Sequence, residues 1–276
     1  MTVGICGLGL IGGSMAKAYK QAGHTVLGYD KDTATLGYAS LADIIDGELT
    51  EETIPSCHLI FVALYPQAAI KYLEEIAPII SKDTTVIDLC GTKKQICDRG
   101  FSLAKEYHFT FVGGHPMAGM QYSGIKYAKA TLFKNAPMVL VPPVCDDIAF
   151  LNDLKQILAP AGFGRISVTD AESHDKMIAF TSQLAHVVSN AYVKSETAKG
   201  HKGFSAGSYK DMTRVAWLNE NMWTELFLEN KEPLLFEIDT IIKSLSEYRN
   251  AIEADDSATL RALLRDGRIA KEEIDG

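Results

Sequence analysis

The chain has 276 residues, of which 47% are hydrophobic, so it can bury a large core in one large domain or in two of ordinary size. Its 27 basic and 35 acidic residues give a net charge of −8, and the basic residues are scattered. We therefore expect no nucleic-acid partner and no binding to a membrane surface. The five cysteines are odd in number and contain no C-x-x-C pair, which favours reduced thiols and argues against a metal site.

The amino-terminal segment is apolar enough to resemble a secretory signal. It has no basic residue before Lys17 and is interrupted by five glycines, so we do not expect export. No other segment approaches the roughly 18 to 20 unbroken apolar residues of a membrane span. We therefore expect a cytoplasmic protein.

Short β-branched or aromatic runs alternate with longer amphipathic segments as far as residue 169. The runs predict strands at 2–6, 25–29, 59–64, 84–89, 109–113, 137–141 and 165–169. The segments between them predict helices near 10–22, 66–80, 93–106 and 146–159. Because the strand runs are continuously apolar, both faces of the sheet should be covered. The pattern predicts an α/β fold with a doubly wound, mostly parallel sheet.

The character of the sequence changes after Asp170. An acidic helix start and a long apolar stripe follow, and residues 219–270 show further helical patterns without a convincing strand. We therefore divide the chain into an α/β domain, residues 1–169, and an all-helical domain, residues 170–276. The stripe PLLFEIDTIIKSL at 233–245 has more apolar face than one partner domain can cover. We expect a homodimer formed through the helical domain.

A glycine-rich turn joins the first predicted strand to the first predicted helix. It contains Gly7-x-Gly9-x-x-Gly12, and the second strand ends at Asp30, about twenty residues further on. Gly7 permits a tight turn, Gly9 lets the backbone approach a pyrophosphate, and Gly12 allows close packing of helix on strand. Asp30 would accept hydrogen bonds from both ribose hydroxyls and repel a 2′-phosphate. A turn without a ligand is the alternative, but the full arrangement predicts an NAD site in a dinucleotide-binding domain. Its predicted contacts are Gly7, Gly9, Leu10, Ile11, Gly12 and Asp30.

The carboxyl ends of the other parallel strands should lie along the same edge of the sheet, where ligands bind in α/β folds. The residues just past these ends should therefore line one cleft. Pro66 and Gly91 could instead serve only to form turns, and Asp88 could instead cap a nearby helix. The further cofactor contacts predicted here are Leu64, Pro66, Asp88, Gly91 and Thr92.

One titratable ring stands at the end of the fifth predicted strand. His115 is held by Pro116 on one side, and we expect Gly113 and Gly114 to give its backbone freedom on the other. A neutral imidazole near pH 7 can accept a hydroxyl proton as hydride leaves the same carbon. A packed core histidine is the alternative, but the position at the cofactor edge favours a catalytic base.

The helical domain contains two further candidates. Arg214 suits a bidentate clamp on a substrate carboxylate, although its spacing from Asp211 equally fits an exposed i, i+3 ion pair. Ser182 and His186 stand at i and i+4 on one helix face, a spacing more typical of a core contact than of a site.

Several motifs together resemble one family, the prephenate and arogenate dehydrogenases of tyrosine biosynthesis. The resemblance rests on the glycine turn, on Asp30 and on the segments DLCGTK, GHPMAGMQYSG, SQLAH, DMTRVA and NMWTELFLENK. It implies a Rossmann-like domain followed by a helical dimerisation domain. It also implies NAD-dependent oxidative decarboxylation of a cyclohexadienyl substrate to an aromatic product.

By this resemblance, residue roles transfer to matching positions. His115 matches the catalytic histidine bonded to the ring hydroxyl, and Arg214 matches the arginine that holds the ring carboxylate. The other substrate contacts implied are Gln121, His186 and Trp223.

The chain departs from the family pattern at two places. Cys90-Gly91 stands where Gly-Ser is common, and Gln121 stands where many members carry glutamate. We expect a prephenate dehydrogenase that uses NAD. Three alternatives stay open: an arogenate dehydrogenase, a β-hydroxyacid-type dehydrogenase of similar layout, and a nucleotide-binding module without catalysis.

Overall fold

The computed structural model describes residues 1–120 and 122–275. Within these ranges the strands are β1 (Thr2–Cys6), β2 (Thr25–Tyr29), β3 (Gly47–Glu48), β4 (Leu59–Val62), β5 (Thr85–Asp88), β6 (Thr110–Pro116), β7 (Pro137–Val141) and β8 (Arg165–Val168). They form one sheet in the order β3-β2-β1-β4-β5-β6-β7-β8, parallel except for the antiparallel pair of β6 and β7. The predicted mostly parallel sheet is confirmed.

Helices cover both faces of the sheet. They are α1 (Leu10–Gln21), α2 (Thr33–Leu41), α3 (Pro66–Ile76), α4 (Lys94–Tyr107) and α5 (Ile148–Leu158). Strand β4 illustrates why the strand segments are apolar at every position. Leu59 and Phe61 face the core layer that contains α1 and α5, whereas Ile60 and Val62 face the layer that contains α3 and α4. Alternate residues of one strand thus fill two core layers, as a doubly wound fold requires.

After β8 the described residues form helices and the segments that connect them, without a further strand. We call residues 171–275 the helical region. Its helices are α6 (Ala171–Ile178), α7 (Ala185–Tyr192), α8 (Gly207–Thr213), α9 (Glu220–Glu229), α10 (Lys231–Glu253) and α11 (Ser257–Asp275), and a π-helical turn, Ala179–Leu184, joins α6 to α7. The side chain of Asp170 caps α6 by accepting a hydrogen bond from the backbone N–H of Ser173 at 2.8 Å. No helix in the part of the chain described has both the length and the apolar character to cross a membrane.

All seven predicted strands and all four predicted helices of the α/β part are confirmed, with small shifts at their ends. Two elements were not predicted, the two-residue β3 and the short α2. The carboxylate of Asp32 fixes the start of α2 by accepting from the backbone N–H of Ala34 at 3.1 Å. The strand β6 also runs on beyond its predicted end to Pro116, because its last residues pair with β7.

Candidate active site

The glycine turn has the geometry of a pyrophosphate cradle. Gly7 has a φ of +86°, and a Cβ there would lie 2.5 Å from the carbonyl oxygen of Ala63. A Cβ on Gly12 would lie 1.8 Å from the carbonyl oxygen of Gly7, so the start of α1 can only pack here without a side chain. At Gly9, by contrast, a Cβ would meet nothing within 4 Å. The missing side chain at Gly9 therefore leaves space for a ligand.

The start of α1 is also suited to an anion. No side chain caps this helix, and its first turn, which contains Leu10 and Ile11, carries no acidic residue. Its first backbone N–H groups and its dipole therefore offer partial positive charge to a phosphate.

Asp30 lies immediately after β2, beside the glycine turn. One oxygen of its carboxylate accepts from the backbone N–H of Leu8 at 2.8 Å, and the other accepts from that of Asp32 at 2.9 Å. These two bonds fix the orientation of a half-buried carboxylate at the carboxyl edge of the sheet. A carboxylate oxygen can accept more than one hydrogen bond, so capacity remains for a ribose hydroxyl.

The remaining predicted cofactor contacts lie near the same edge but differ in exposure. Leu64 is half-buried and its side chain lies next to Gly7, whereas Pro66 is buried as the first residue of α3. Gly91 lies against Leu226 of α9. The hydroxyl of Thr92 donates to the carboxylate of Glu229 at 2.8 Å, so this side chain joins the α/β part to the helical region.

The structure corrects the prediction for Asp88. Its side chain has no exposed surface, and its carboxylate binds the ammonium of Lys93, which is equally buried. The same carboxylate accepts from the backbone N–H groups of Cys90 at 2.9 Å and Gly114 at 3.2 Å. Burial lowers the pKa of Lys93, but the charge of Asp88, the nearby Cys90 and Cys97 and the hydrogen bond to Asp88 together outweigh burial, and the pKa is raised. Asp88 therefore braces the strand ends and is not available to a cofactor.

The two glycines before His115 serve packing and not backbone freedom, which corrects the prediction. Both lie inside β6, and neither has a positive φ. A Cβ on Gly113 would lie 2.4 Å from the Sγ of Cys97, and one on Gly114 would lie 2.5 Å from the carbonyl oxygen of Asp88. The absence of side chains lets β6 lie close to α4 and β5, which holds His115 in a defined position.

His115 is half-buried, and its ring is linked to a second histidine. Its Nδ1 lies 2.9 Å from the Nε2 of His174, whose Nδ1 lies 2.8 Å from the Oδ1 of Asp175. Burial lowers the pKa of His115 well below its ordinary value of 6.5, and the electrostatic effects of His174 and Lys93 lower it further. The imidazole is therefore neutral at pH 7 and able to accept a proton.

Three predicted substrate contacts lie together in the helical region. The rings of His186 and Trp223 are 3.8 Å apart between centroids, and the Nδ1 of His186 lies 2.9 Å from the carbonyl oxygen of Ser182. Burial lowers the pKa of His186, and the charge of the nearby Arg214 acts in the same direction. Arg214 is exposed, and the described residues offer it no ion pair, which argues against the alternative of a pair with Asp211. The predicted contact Gln121 lies outside the described residues.

Sequence reasoning missed the residues that join the helical region to the sheet edge. His174 and Asp175 are one set, and the pair of Glu225 and Glu229 is another. Glu225 accepts from the backbone N–H of Gln67 at 3.0 Å, and Glu229 accepts from the side-chain amide of Gln67 at 2.8 Å. Burial raises the pKa of Glu229. The only signal in the sequence was a His-Asp pair at a helix start, whose partners stand far away along the chain.

Taken together, a phosphate cradle at the start of α1 and a neutral histidine at the same sheet edge define a dinucleotide-dependent oxidoreductase. Models of protein families resolve the class further. The model of the prephenate dehydrogenase nucleotide-binding domain matches residues 15–167, and that of the prephenate dehydrogenase dimerization domain matches residues 170–266. The chain belongs to the prephenate dehydrogenase family.

Individual relatives agree with this assignment. The prephenate dehydrogenase of Lactococcus lactis is 30% identical over 280 residues, which cover 98% of this chain and 77% of the relative. The structure of Aquifex aeolicus prephenate dehydrogenase with hydroxyphenyl propionate and NAD⁺ superposes with a TM-score of 0.81 at 28% identity, covering 100% of this chain and 98% of the other. Synechocystis arogenate dehydrogenase gives a TM-score of 0.82 at 26% identity, with coverages of 99% and 100%.

Proposed function

We propose that this protein is a prephenate dehydrogenase that couples oxidation and decarboxylation of prephenate to reduction of NAD, giving 4-hydroxyphenylpyruvate. The observation that carries the proposal is the neutral His115 at the carboxyl edge of the sheet, beside the helical region. Support also comes from the similar Aquifex aeolicus enzyme, whose complex contains NAD⁺ and hydroxyphenyl propionate.

The residues of the cradle fit the cofactor. Backbone N–H groups at the start of α1 would hold the pyrophosphate, because Gly9 leaves room for it and no acidic side chain competes. Asp30 would accept from the ribose hydroxyls and disfavour a 2′-phosphate. Leu64 and Gly91 would line the cleft beyond them. NAD supplies the acceptor for the hydride.

The protein itself positions the substrate, and it accepts and returns one proton. The Nε2 of His115 accepts the proton of the ring hydroxyl as the adjacent C–H bond breaks. The electron pair of the breaking bond to the ring carboxylate then enters the ring, CO₂ leaves, and the proton returns to the oxygen of the aromatic product. The guanidinium of Arg214 binds the ring carboxylate and orients the substrate.

Arogenate is the second candidate substrate, since a structure as similar as that of the Synechocystis enzyme belongs to an arogenate dehydrogenase. Initial rates of NADH or NADPH formation with prephenate or arogenate, and with NAD or NADP, separate the possibilities. We expect the highest kcat/KM with prephenate and NAD. A higher value with arogenate reverses the choice of substrate, and an equal or higher value with NADP contradicts the role of Asp30. Binding of NADH without turnover of either substrate would indicate a nucleotide-binding module.

We also propose that two chains associate through residues 170–270. The family model that matches this part is a dimerization domain. Along α10 the side chains of Phe236, Ile242 and Leu245 are exposed by 68%, 55% and 60%, and exposed apolar surface of this extent is typical of a contact with another chain.

Sedimentation at micromolar concentration should therefore give a dimer. Phe236→Asp should shift it towards monomer, because a carboxylate would have to be buried in the interface. Leu41→Asp is the matched control, since Leu41 is 89% exposed on α2 in the α/β part. A wild-type monomer, or equal effects of the two substitutions, would contradict the proposed interface.

A cytoplasmic location is proposed on the state of the cysteines. All five are free, and four of them are buried. Free thiols persist in reducing compartments, which supports the cytoplasm as the site of this enzyme.

A further inference from the structure

A buried chain of hydrogen bonds runs from the candidate base on β6 into the helical region. It consists of His115, His174 and Asp175, and its last two members are only 3% and 4% exposed. We propose that His174 and Asp175 are positioning residues that hold the proton of His115 on Nδ1, so that Nε2 presents its lone pair to the substrate hydroxyl. The inference rests on the proposed function and adds to it the groups that set the state of the base.

The direction of the chain follows from its carboxylate end. An ionised carboxylate can only accept hydrogen bonds, so the Nδ1 of His174 must carry a proton and donate it to Asp175. In a neutral ring the Nε2 of His174 is then an acceptor. The Nδ1 of His115, 2.9 Å away, must therefore be the donor, and its Nε2 is left unprotonated.

His174 is neutral in this arrangement. Burial lowers its pKa, and the neighbouring Asp175 offsets this only in part. A doubly protonated His174 would donate to His115 and reverse the tautomer, so its neutrality is essential to the direction of the chain. Within the described residues, no hydrogen bond uses the Nε2 of His115.

The carboxylate of Asp175 is itself fixed by the α/β part. Its two oxygens accept from the backbone N–H groups of Lys93 at 2.7 Å and of Lys94 at 2.9 Å, at the start of α4. The side chain of Asn230 donates to the backbone carbonyl of Asp175 at 2.8 Å. These hydrogen bonds hold the part of α6 that carries His174 and Asp175 in place. The ring of His174 therefore cannot rotate without breaking buried hydrogen bonds.

This arrangement has a consequence for proton transfer. When the Nε2 of His115 accepts the substrate proton, the new positive charge is stabilised through His174 by the carboxylate of Asp175, without movement of a second proton. The logic is that of the orienting carboxylate in serine proteases, with one imidazole inserted between. The helical region therefore completes the base as well as binding the substrate.

Substitutions at His174 separate positioning from mere packing. His174→Leu removes the acceptor for the Nδ1 proton of His115, and we expect kcat to fall about 10²-fold with KM for prephenate little changed. His174→Gln restores an amide oxygen that can accept this proton, so it should recover about tenfold of the loss. His24→Leu is the matched control, because His24 precedes β2 at the opposite edge of the sheet.

Melting temperatures and NADH binding are measured on all variants. Equal losses of kcat in His174→Leu and His174→Gln, in step with their loss of thermal stability, would assign His174 a structural role only. A wild-type kcat in His174→Leu would overturn the inference.

A spectroscopic measurement decides the tautomer without reference to turnover. The chain has seven histidines. Nitrogen NMR of ¹⁵N-histidine-labelled protein with NAD bound, assigned by comparison with His115→Asn, should show His115 protonated on Nδ1 and not on Nε2. His174→Leu should lose this state, and His174→Gln should keep it. A proton on Nε2 in the wild type would overturn the inference, whether or not either substrate is turned over. Absence of turnover with a correct tautomer would instead refute the proposed function alone.

Discussion

Replacement of His115 by asparagine is expected to lower kcat by about 10²- to 10⁴-fold, because the proton acceptor acts mainly as the hydride leaves. The KM for prephenate should change much less, since an amide can still contact the ring hydroxyl. Binding of NADH, followed by fluorescence, should be retained because His115 lies near the end of β6, whereas the phosphate cradle follows β1. The measurement is steady-state kinetics of NADH formation.

The chain offers a matched control for this substitution. His108 is exposed and ends α4 with a φ of +67°, a backbone conformation that asparagine adopts readily. His108→Asn should therefore keep the wild-type kcat. A near-normal kcat in His115→Asn would make this histidine a packed residue of the sheet edge.

Arg214→Gln is expected to act on the substrate in a different way. The guanidinium would hold the ring carboxylate in both the ground state and the transition state, so its loss should raise KM by about 30-fold or more, which corresponds to at least about 2 kcal/mol. Binding of NADH should be unaffected. The expectation is consistent with the structure, in which Arg214 is exposed beside His186 and has no ion-pair partner among the described residues.

Arg99→Gln provides the comparison. Arg99 is also partly exposed, and it pairs with Glu74 at 2.7 Å across the helices of the α/β part. A surface pair of this kind contributes little, so KM should not change. If KM is unchanged in Arg214→Gln as well, Arg214 is an ordinary surface residue and the substrate carboxylate binds elsewhere.

The sheet could be predicted from the sequence because its central strands, β1, β4, β5 and β6, are buried on both faces. Runs such as Leu59–Val62 are apolar at every position, and local sequence alone makes them visible. The end of β6 could not be predicted, since glycines and a proline usually end a strand. Here Gly113 and Gly114 are needed for close packing, and β7 supplies pairing partners from a distant segment.

The parts of the candidate site that lie within a single turn of the chain could be predicted from the sequence. The glycine cradle lies within a few residues of β1, and Gly7 and Gly12 show the tight turn and the close packing that their spacing predicts. The contact of His115 with His174 joins residues 59 positions apart, so no local pattern could indicate it. The burial of Asp88 was hidden for a different reason. Its partner Lys93 is only 5 residues away, but the burial of this ammonium depends on the packing of α4 on the sheet.

The central claim, that a neutral His115 is the base of the reaction, is tested most directly by the pH dependence of kcat/KM for the preferred substrate. The pKa of His115 is lowered, so the ring is protonated only at low pH and activity should be lost only as the pH falls well below 6.5. We predict constant kcat/KM from neutral pH down to that range, and no such acid limb in His115→Asn. An acid limb centred above pH 6.5, or one that persists in His115→Asn, would contradict this assignment.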